Sequence, residues 1–478
     1  MINIRKVLLI GLQMIFLVTF SFASISLKIP LQFYGSLIIF FISIFYALND
    51  IVNRSALFIF LLSFFVFLVG RDFVYFYFDF GENLYQENIN NYTYITFMVT
   101  LLSILIFYFL FETFSTKSNY KNVEDHHKTL NKDVLQKVSL MVFYPILFFS
   151  TINKAYLAYF SNRIGYLNIY SEYNVSFVES PILALLNLIE VALPVPLAVF
   201  LATRPEKNKV MNIFKIYTVY LIISLFTGSR ATFMLGIFVM FYYILSRADY
   251  KKFINYKFTG SVIFGGPLLI VIAMYIDSFR NGEKFQFSNI SNLFLSFFNQ
   301  QGVSISTIKI GKMVEDYFPE GKIYTLKFLY SGLPARILNL PIYRGNNAEN
   351  ALLGNDFNHA LSYFALGEAY FKGAGAGSSY IAETMHDGGF IYLIIMSIIY
   401  AYLLYIASTR RNRKLNIQVL ILLTLPSLFW APRGNAMAFI EQLIAPSSLI
   451  TYLIIYLLYQ FYVKRIGYKN FSSKKTLF

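Results

Sequence analysis

Three arginines lie at predicted helix ends, where they could bind the oxygens of a phosphate or diphosphate. Arg230 ends one apolar run in the sequence Thr-Gly-Ser-Arg, Arg280 follows another, and Arg433 lies in a short turn between two more. A guanidinium group is planar and donates two parallel hydrogen bonds to phosphate oxygens. Several such groups around one cleft would suit a diphosphate. The alternative for each arginine is pairing with a local carboxylate or a lipid headgroup.

A second group of candidate residues precedes the tenth apolar run and could transfer a proton. Glu383 and His386 are three residues apart, so they share one face if this stretch is helical. Histidine titrates near neutral pH, and the pair therefore suits a general base with its orienting partner. We expect Asp387 to cap the helix that follows. His359 and Arg336 are secondary candidates, and for either histidine a plain surface position is an equally good interpretation.

No motif of soluble enzymes accounts for these residues. The glycine-rich stretch 373–378 lacks the Gly-Lys-Ser/Thr of a phosphate-binding loop, and it lacks the surroundings of a dinucleotide site. His126 and His127 stand beside Lys128, which favours a solvated pair over metal ligands. The chain contains no cysteine, which excludes disulfides, thiolate nucleophiles and cysteine-bound metals. We therefore expect no metal and no cofactor.

The composition excludes a soluble protein. Of the 478 residues, 57% are hydrophobic and 14% are charged, whereas soluble domains carry about 25% charged residues. The apolar runs are continuous and about 16 to 25 residues long, the length of a membrane-spanning helix. A transmembrane β-barrel would instead have short runs of alternating polarity. The composition predicts an all-α polytopic membrane protein.

The apolar runs predict about twelve transmembrane helices in three regions. Residues 1–276 would form a bundle of nine spans, residues 277–387 one large external loop with short helices, and residues 388–478 three further spans with a cytoplasmic C-terminus. The first span lacks a convincing signal-peptide cleavage site, so we expect it to be retained. The expected spans are 7–27, 31–48, 55–70, 92–115, 138–158, 181–203, 211–227, 231–246, 260–276, 388–407, 415–431 and 437–462.

The positive charges predict the orientation. If both termini are cytoplasmic, the cytoplasmic segments hold 25 of the 40 lysines and arginines, and excess positive charge marks the cytoplasmic side. The loop 277–387 is too long for this rule to constrain. The net charge of +15 then follows from topology and from attraction to anionic headgroups. It does not indicate nucleic-acid binding, because no basic face with interleaved aromatic residues is formed.

Two further features of the sequence suggest structure near a polar site. Residues 289–317 and 326–340 contain apolar residues at helical spacing, which is typical of helices that lie on a membrane surface or pack as a lid. Glu190 lies inside the sixth span and needs a partner or a water-filled cavity. Pro194 and Pro196 follow it and predict a kink.

The layout resembles that of a known enzyme family. The features that carry the likeness are about a dozen spans, the Gly-Ser-Arg at 228–230, the long late loop and its return through 377–390, together with the Pro-Arg-Gly-Asn at 432–435. With these features the chain resembles the Wzy-type polymerases of O-antigen and capsular polysaccharide repeat units. The resemblance implies an integral-membrane glycosyltransferase of the bacterial cytoplasmic (inner) membrane that acts at its outer face.

The resemblance also implies substrates and roles. The donor would be a growing glycan on undecaprenyl diphosphate, and the acceptor one new lipid-linked repeat unit whose terminal hydroxyl attacks the anomeric carbon. Arg230, Arg280 and Arg433 would stabilise the leaving diphosphate, and His386 or Glu383 would accept the proton. The expected partners are the undecaprenyl-diphosphate-linked oligosaccharide, the lipid bilayer and a chain-length regulator.

Other functions fit parts of the same pattern. An O-antigen-ligase-like transferase would use the same donor and a similar loop, and only its acceptor would differ. A flippase or secondary transporter of lipid-linked sugars would suit twelve spans. Transporters usually show paired repeats, broken helices at the midplane and short external loops. This sequence shows no clear repeat, no membrane-centre charge beyond Glu190, and one long external loop. A purely structural membrane protein is disfavoured by the long, patterned loop.

Overall fold

The computed structural model describes residues 4–115, 131–165, 180–228, 230–247, 289–409 and 414–475, and isolated residues between 249 and 278. Within these residues the chain is helical and has no β-strand. Arg280 and most of the predicted ninth span lie outside the described residues. The all-α class predicted from composition is confirmed for the part of the chain that the structure describes.

The N-terminal half supplies most of the long helices. α3 and α4 are joined by a π-helical turn, Phe65–Val69, and form one continuous apolar helix. The described helices are α1 (Ile4–Ser26), α2 (Leu31–Asn49), α3 (Ser55–Phe64), α4 (Gly70–Phe78), α5 (Glu87–Ser115), α6 (Lys132–Ile164), α7 (Pro181–Ala192), α8 (Pro194–Ala202), α9 (Lys207–Leu225) and α10 (Ala231–Leu245).

Residues 289–379 form a series of short helices, which we call the loop segment. Its helices are α11 (Ile290–Gln301), α12 (Ile305–Met313), a 3₁₀-helix (Tyr324–Tyr330), α13 (Gly332–Ile337), α14 (Ala348–Leu352), α15 (Phe357–Leu366) and α16 (Glu368–Phe371). The helices expected within 289–317 and 326–340 are therefore present. The chain ends with α17 (Tyr380–Ser408), α18 (Leu415–Trp430), α19 (Ala438–Ile444) and α20 (Pro446–Lys475).

The described residues contain nine helices that are long and apolar enough to cross a membrane. They match the predicted spans one to six and ten to twelve. α9 carries three lysines and α10 has 15 residues, and neither is among the nine. The count of twelve is therefore not confirmed. The twelfth predicted span is divided, because α19 ends before Pro446 and α20 begins there, as expected for a residue that favours the first helical position.

The loop segment packs on one end of the bundle, which we call the loop end. α17 packs along α5, and α12 packs against both. The Arg433 guanidinium, after α18, donates to the backbone oxygen of Gln301 in α11. At the other end of the bundle, the Tyr242 hydroxyl of α10 donates to the backbone oxygen of Ala407 in α17 at 2.7 Å. α10 therefore begins, directly after Arg230, at the loop end.

A buried ion pair fixes the loop segment to the bundle. The Lys309 ammonium of α12 lies 2.7 Å from the Asp72 carboxylate of α4, and the two side chains are 1% and 4% exposed. The Tyr94 hydroxyl donates to the same carboxylate oxygen at 2.6 Å. Burial lowers the pKa of Lys309 although Asp72 acts to raise it. The pair ties two elements that are distant in sequence.

Removing one charge of this pair should destabilise the protein. We expect Lys309→Met to reduce the free energy of unfolding by about 3 to 5 kcal/mol, because the Asp72 carboxylate stays buried without a counter-charge. Lys312→Met is the matched control, since Lys312 pairs with Glu315 at the surface, where the side chains are 38% and 43% exposed. Such a pair contributes at most about 1 kcal/mol. Thermal unfolding in detergent measures both variants, and equal Tm values would contradict the role of the buried pair.

Candidate functional site

The first two turns of α17 carry the candidate proton-transfer residues. The stretch is helical from Tyr380, as expected, but the helix is interrupted at Gly388 and Gly389. Gly389 has a φ of +62°, a left-handed conformation that glycine adopts without steric cost. The interruption separates these turns from the apolar remainder of α17. The candidate residues can therefore be oriented by the loop segment independently of the spanning part of the helix.

Glu383 is fully buried and joins two distant stretches of the chain. Its carboxylate accepts hydrogen bonds from the Ser378 hydroxyl at 2.7 Å, the Asn435 side-chain amide at 2.9 Å and the backbone N–H of Ala436 at 2.8 Å. The side chain is 0% exposed. The carboxylate thus connects the start of α17 to the turn that follows Arg433. With three donors it is held in one orientation within the protein.

This network predicts the effect of a neutral isostere. In Glu383→Gln one carboxylate oxygen is replaced by an amide NH₂ group, which is a donor. In one orientation this group faces the backbone N–H of Ala436. In the other it faces the side-chain donors of Ser378 and Asn435 and displaces them. A buried donor without an acceptor costs about 1 to 3 kcal/mol, so we expect a lower Tm and a displaced 433–436 turn. Glu349→Gln is the control, because Glu349 is exposed on α14. An unchanged Tm for Glu383→Gln, measured in detergent, would contradict this description.

A lysine of the loop segment extends the network. The Lys327 ammonium lies 2.7 Å from the Asp356 carboxylate and 3.5 Å from the Asn435 side-chain oxygen. Burial acts to lower the pKa of Lys327, but the carboxylates of Asp356, Glu441 and Glu383 together outweigh it and the pKa is raised. Burial acts to raise the pKa of Asp356, and Lys327 reverses this. Both groups are therefore charged at neutral pH. Glu441 of α19 also faces Lys327, and burial raises the pKa of its carboxyl group.

His386 is oriented by its neighbour Asp387 rather than by Glu383. The imidazole Nδ1 lies 3.2 Å from an Asp387 carboxylate oxygen. The same carboxylate accepts the backbone N–H groups of Tyr324 and Thr325 at 3.0 and 2.8 Å. The expectation that Asp387 caps the start of the tenth span is wrong, because both of its carboxylate oxygens accept backbone N–H groups of the loop segment. Asp387 instead binds the first backbone donors of the 3₁₀-helix in the loop segment.

The hydrogen bond to Asp387 assigns the proton on the His386 ring. A carboxylate only accepts, so Nδ1 donates to it, and Nε2 of the neutral ring carries the free electron pair. The ring packs against Phe318, Tyr324 and Phe357, with centroid distances of 4.7, 5.0 and 6.1 Å. A cavity of about 10 Å³ adjoins the ring, and this volume admits about one water molecule.

The second candidate histidine lies in α15 and has a different partner. The Tyr370 hydroxyl donates to the backbone oxygen of Asn347 at 3.1 Å. Its oxygen therefore accepts from Nδ1 of His359 at 2.9 Å, which again leaves Nε2 as the basic nitrogen. Burial lowers the pKa of His359 although Asp356 acts to raise it. His359 is thus neutral at neutral pH and remains a candidate base.

Arg433 is half-buried at the loop end, between aromatic rings. Its guanidinium carbon lies 5.6 Å from the ring centroid of Phe67 and 5.7 Å from that of Trp430, and Nη1 donates to the Gln301 backbone oxygen at 3.3 Å. Gly434 allows this packing, because a Cβ atom there would lie 2.7 Å from a Trp430 ring carbon. The turn 432–435 is therefore fixed by Trp430 on one side and by Glu383 on the other.

The other predicted arginines occupy different places. Arg230 lies directly before α10 at the loop end. Phe238 lies about two turns further along α10 and contacts Phe67. The Phe67 ring also faces Arg433, so α10 and Arg433 contact the same aromatic ring. Arg336 is exposed on α13, and Arg280 lies outside the described residues.

The structure adds residues that sequence reasoning missed. Lys327 and Asp356 lie on separate short elements, and only the fold brings them together beside Asn435. Asp356 could have been identified from the sequence only as a helix-capping residue, because it directly precedes a helical stretch. In the structure its carboxylate accepts the Asn358 backbone N–H at 3.0 Å. No group of three or more His, Asp or Glu residues close enough to share a metal ion occurs in the described part of the chain.

Comparison with known proteins gives one family. A family model described as O-antigen polysaccharide polymerase Wzy matches residues 2–466, nearly the whole chain. The comparisons with curated proteins and with solved structures gave no match.

Proposed function

The chain belongs to the O-antigen polysaccharide polymerase Wzy family, and we propose that it polymerises the repeat units of a surface polysaccharide, O-antigen or capsule. It would transfer the growing glycan from undecaprenyl diphosphate to the non-reducing-end sugar of a new undecaprenyl-diphosphate-linked repeat unit. The family match over nearly the whole chain carries this proposal. The loop end of the bundle would face the outside of the cytoplasmic membrane.

In this reaction His386 is the base. The hydroxyl of the acceptor sugar attacks the anomeric carbon of the donor and loses its proton to Nε2 of His386, while Asp387 holds the ring through Nδ1. The glycosidic C–O bond to the diphosphate breaks, and undecaprenyl diphosphate leaves with the bonding electrons. A positioned base of this kind accelerates a reaction about 10² to 10⁴-fold.

The arginines act on the leaving group. Negative charge develops on the diphosphate as the glycosidic bond breaks, and preorganised cationic donors stabilise it. Arg433 and Arg230 supply these donors at the loop end. Aromatic rings and a backbone carbonyl hold the Arg433 guanidinium, so little reorganisation is needed during the reaction.

Glu383 has a positioning role in this proposal. Its carboxylate is buried and bound by three donors of the protein, so these donors, and not a substrate, set its orientation. It holds Asn435 and Ala436, and thereby the turn that carries Arg433. Lys327 and Asp356 support the same turn from the loop segment.

Reconstitution separates this function from its alternatives. Purified protein in proteoliposomes, supplied only with undecaprenyl-diphosphate-linked repeat units, should produce a ladder of lipid-linked glycans and release undecaprenyl diphosphate. A ligase would need another acceptor and would give no ladder. A transporter would move the units between leaflets without changing their length, and either result would contradict the proposal.

A further inference from the structure

A cavity apart from the polar site lies between α7 to α10, α18 and α19. Its volume is about 240 Å³. A cavity of about 150 Å³ in a helical protein stays dry and admits benzene, so this one admits a larger apolar group. The side chains that give it its apolar character are those of Leu193, Leu197, Leu201, Leu235, Val239 and Met240.

The cavity is elongated along the bundle. Its wall on α10 extends from Thr232 to Met240, about 12 Å at 1.5 Å per residue. Thr232 is two residues from Arg230 and therefore lies near the loop end. Leu201, at the opposite extreme, accepts a hydrogen bond from the Tyr243 hydroxyl near the other end of the bundle. The cavity thus begins beside Arg230 and continues inward among helices that cross the membrane.

Polar side chains line the cavity toward the loop end. Glu190 is one of them, and its carboxylate is 2.6 Å from the Lys154 ammonium and 2.8 Å from the Asn153 amide. The expectation that Glu190 needs a partner inside the sixth span is confirmed by these two contacts. The Lys154 ammonium balances the negative charge of Glu190. The Glu190 side chain can therefore form hydrogen bonds at the wall of the cavity without repelling an anion at the cavity entrance. Val191 beside it is 42% exposed, so this rim is accessible.

Helix α19 links the cavity to the candidate site. Gln442 lines the cavity, and its amide donates to the Val191 backbone oxygen at 3.1 Å. The preceding residue, Glu441, faces Lys327 of the site network. A ligand whose apolar part fills the cavity would therefore carry its head to the loop end, next to Arg230 and the site.

We propose that this cavity binds the part of the polyprenyl tail nearest the diphosphate of the lipid-linked oligosaccharide, with the diphosphate at the Arg230 end of the cavity. This inference rests on the proposed function, which supplies a ligand with a long hydrocarbon tail below an anionic head. A ligand that enters between these helices comes from the membrane. Its tail leaves one hydrocarbon environment for another, so binding depends on packing and shape more than on transfer from water. Filling the cavity should therefore reduce tail binding through loss of space.

Photolabelling tests the site directly. The probe is a polyprenyl diphosphate with a photoreactive group in its tail, added to the full chain in phospholipid nanodiscs, with adducts located by mass spectrometry. We expect adducts on α8 and α10, reduced at least fivefold in Leu235→Trp, which fills the cavity. Ile222→Trp is the matched control, because Ile222 is on α9 outside the cavity and is partly exposed; it should label like the wild type. Val239→Phe is a second filling variant if Leu235→Trp does not fold.

The outcomes separate the cavity from the proposed function. Equal labelling of α8 and α10 by a diacyl phospholipid with the same photoreactive group would overturn the assignment to the polyprenyl carrier. Absence of adducts on α8 and α10, or equal labelling of Leu235→Trp and the wild type, would overturn the site. A glycan ladder from the wild type without cavity adducts would contradict only the cavity. Cavity adducts without a ladder would contradict only the polymerase function.

Discussion

Replacing Arg433 by alanine is expected to reduce polymer formation about 100-fold or more, at normal protein levels. The variant loses a cationic donor to the leaving diphosphate, a contribution on the order of 3 kcal/mol to the transition state. We expect a loss of the same order for Arg230→Ala. The measurement is the rate of ladder formation in proteoliposomes, with the protein amount fixed by immunoblot.

Two controls separate this role from general effects of charge. Arg163→Ala removes an exposed arginine at the end of α6 that stacks on Tyr159, and we expect it to retain the wild-type rate. Arg433→Lys keeps the charge but loses the planar fork, so its rate should lie between those of Arg433→Ala and the wild type. Wild-type rates from both Arg433→Ala and Arg230→Ala would contradict the assignment of these residues to the diphosphate.

His386→Gln is expected to lower kcat by about 10² to 10⁴-fold, because the acceptor hydroxyl loses its base. Glutamine keeps a similar size and one polar contact to Asp387, so the Tm should change little. His359→Gln is the matched comparison, since His359 also has a basic Nε2 but hydrogen bonds to Tyr370. It should retain a rate within about tenfold of the wild type if His386 is the base. The reverse order of the two variants would assign the base to His359.

Much of the helical architecture could be predicted from local patterns. Apolar runs of sufficient length mark the long helices, and the helical spacing within 289–317 is enough to indicate α11 and α12. The division of the twelfth span at Pro446 follows from the preference of proline for the first position of a helix, and Pro446 marked that division in the sequence. The ionisable residues of α17 were also identifiable, because Glu383 and His386 stand three residues apart directly before an apolar run.

The partners of these residues could not be predicted, because they come from contacts between distant parts of the chain. Glu383 and His386 lie on one helix, and spacing alone suggested that they pair. In the structure Glu383 bonds Asn435 and Ala436 after α18, while His386 bonds Asp387, which in turn binds the loop segment. Hydrophobic periodicity carries no information on such pairings, and the same holds for Lys309 with Asp72.

The most direct test of the central claim is the length profile of the surface glycan in cells that lack this gene and in cells where it is restored. The account predicts that deletion reduces long polymer to a single repeat unit, lipid-linked or attached at the surface, and that restoration returns the long chains. Unchanged polymer length after deletion would contradict the account. Accumulation of single lipid-linked repeats on the inner face of the membrane would also contradict it, because that result indicates transport rather than polymerisation.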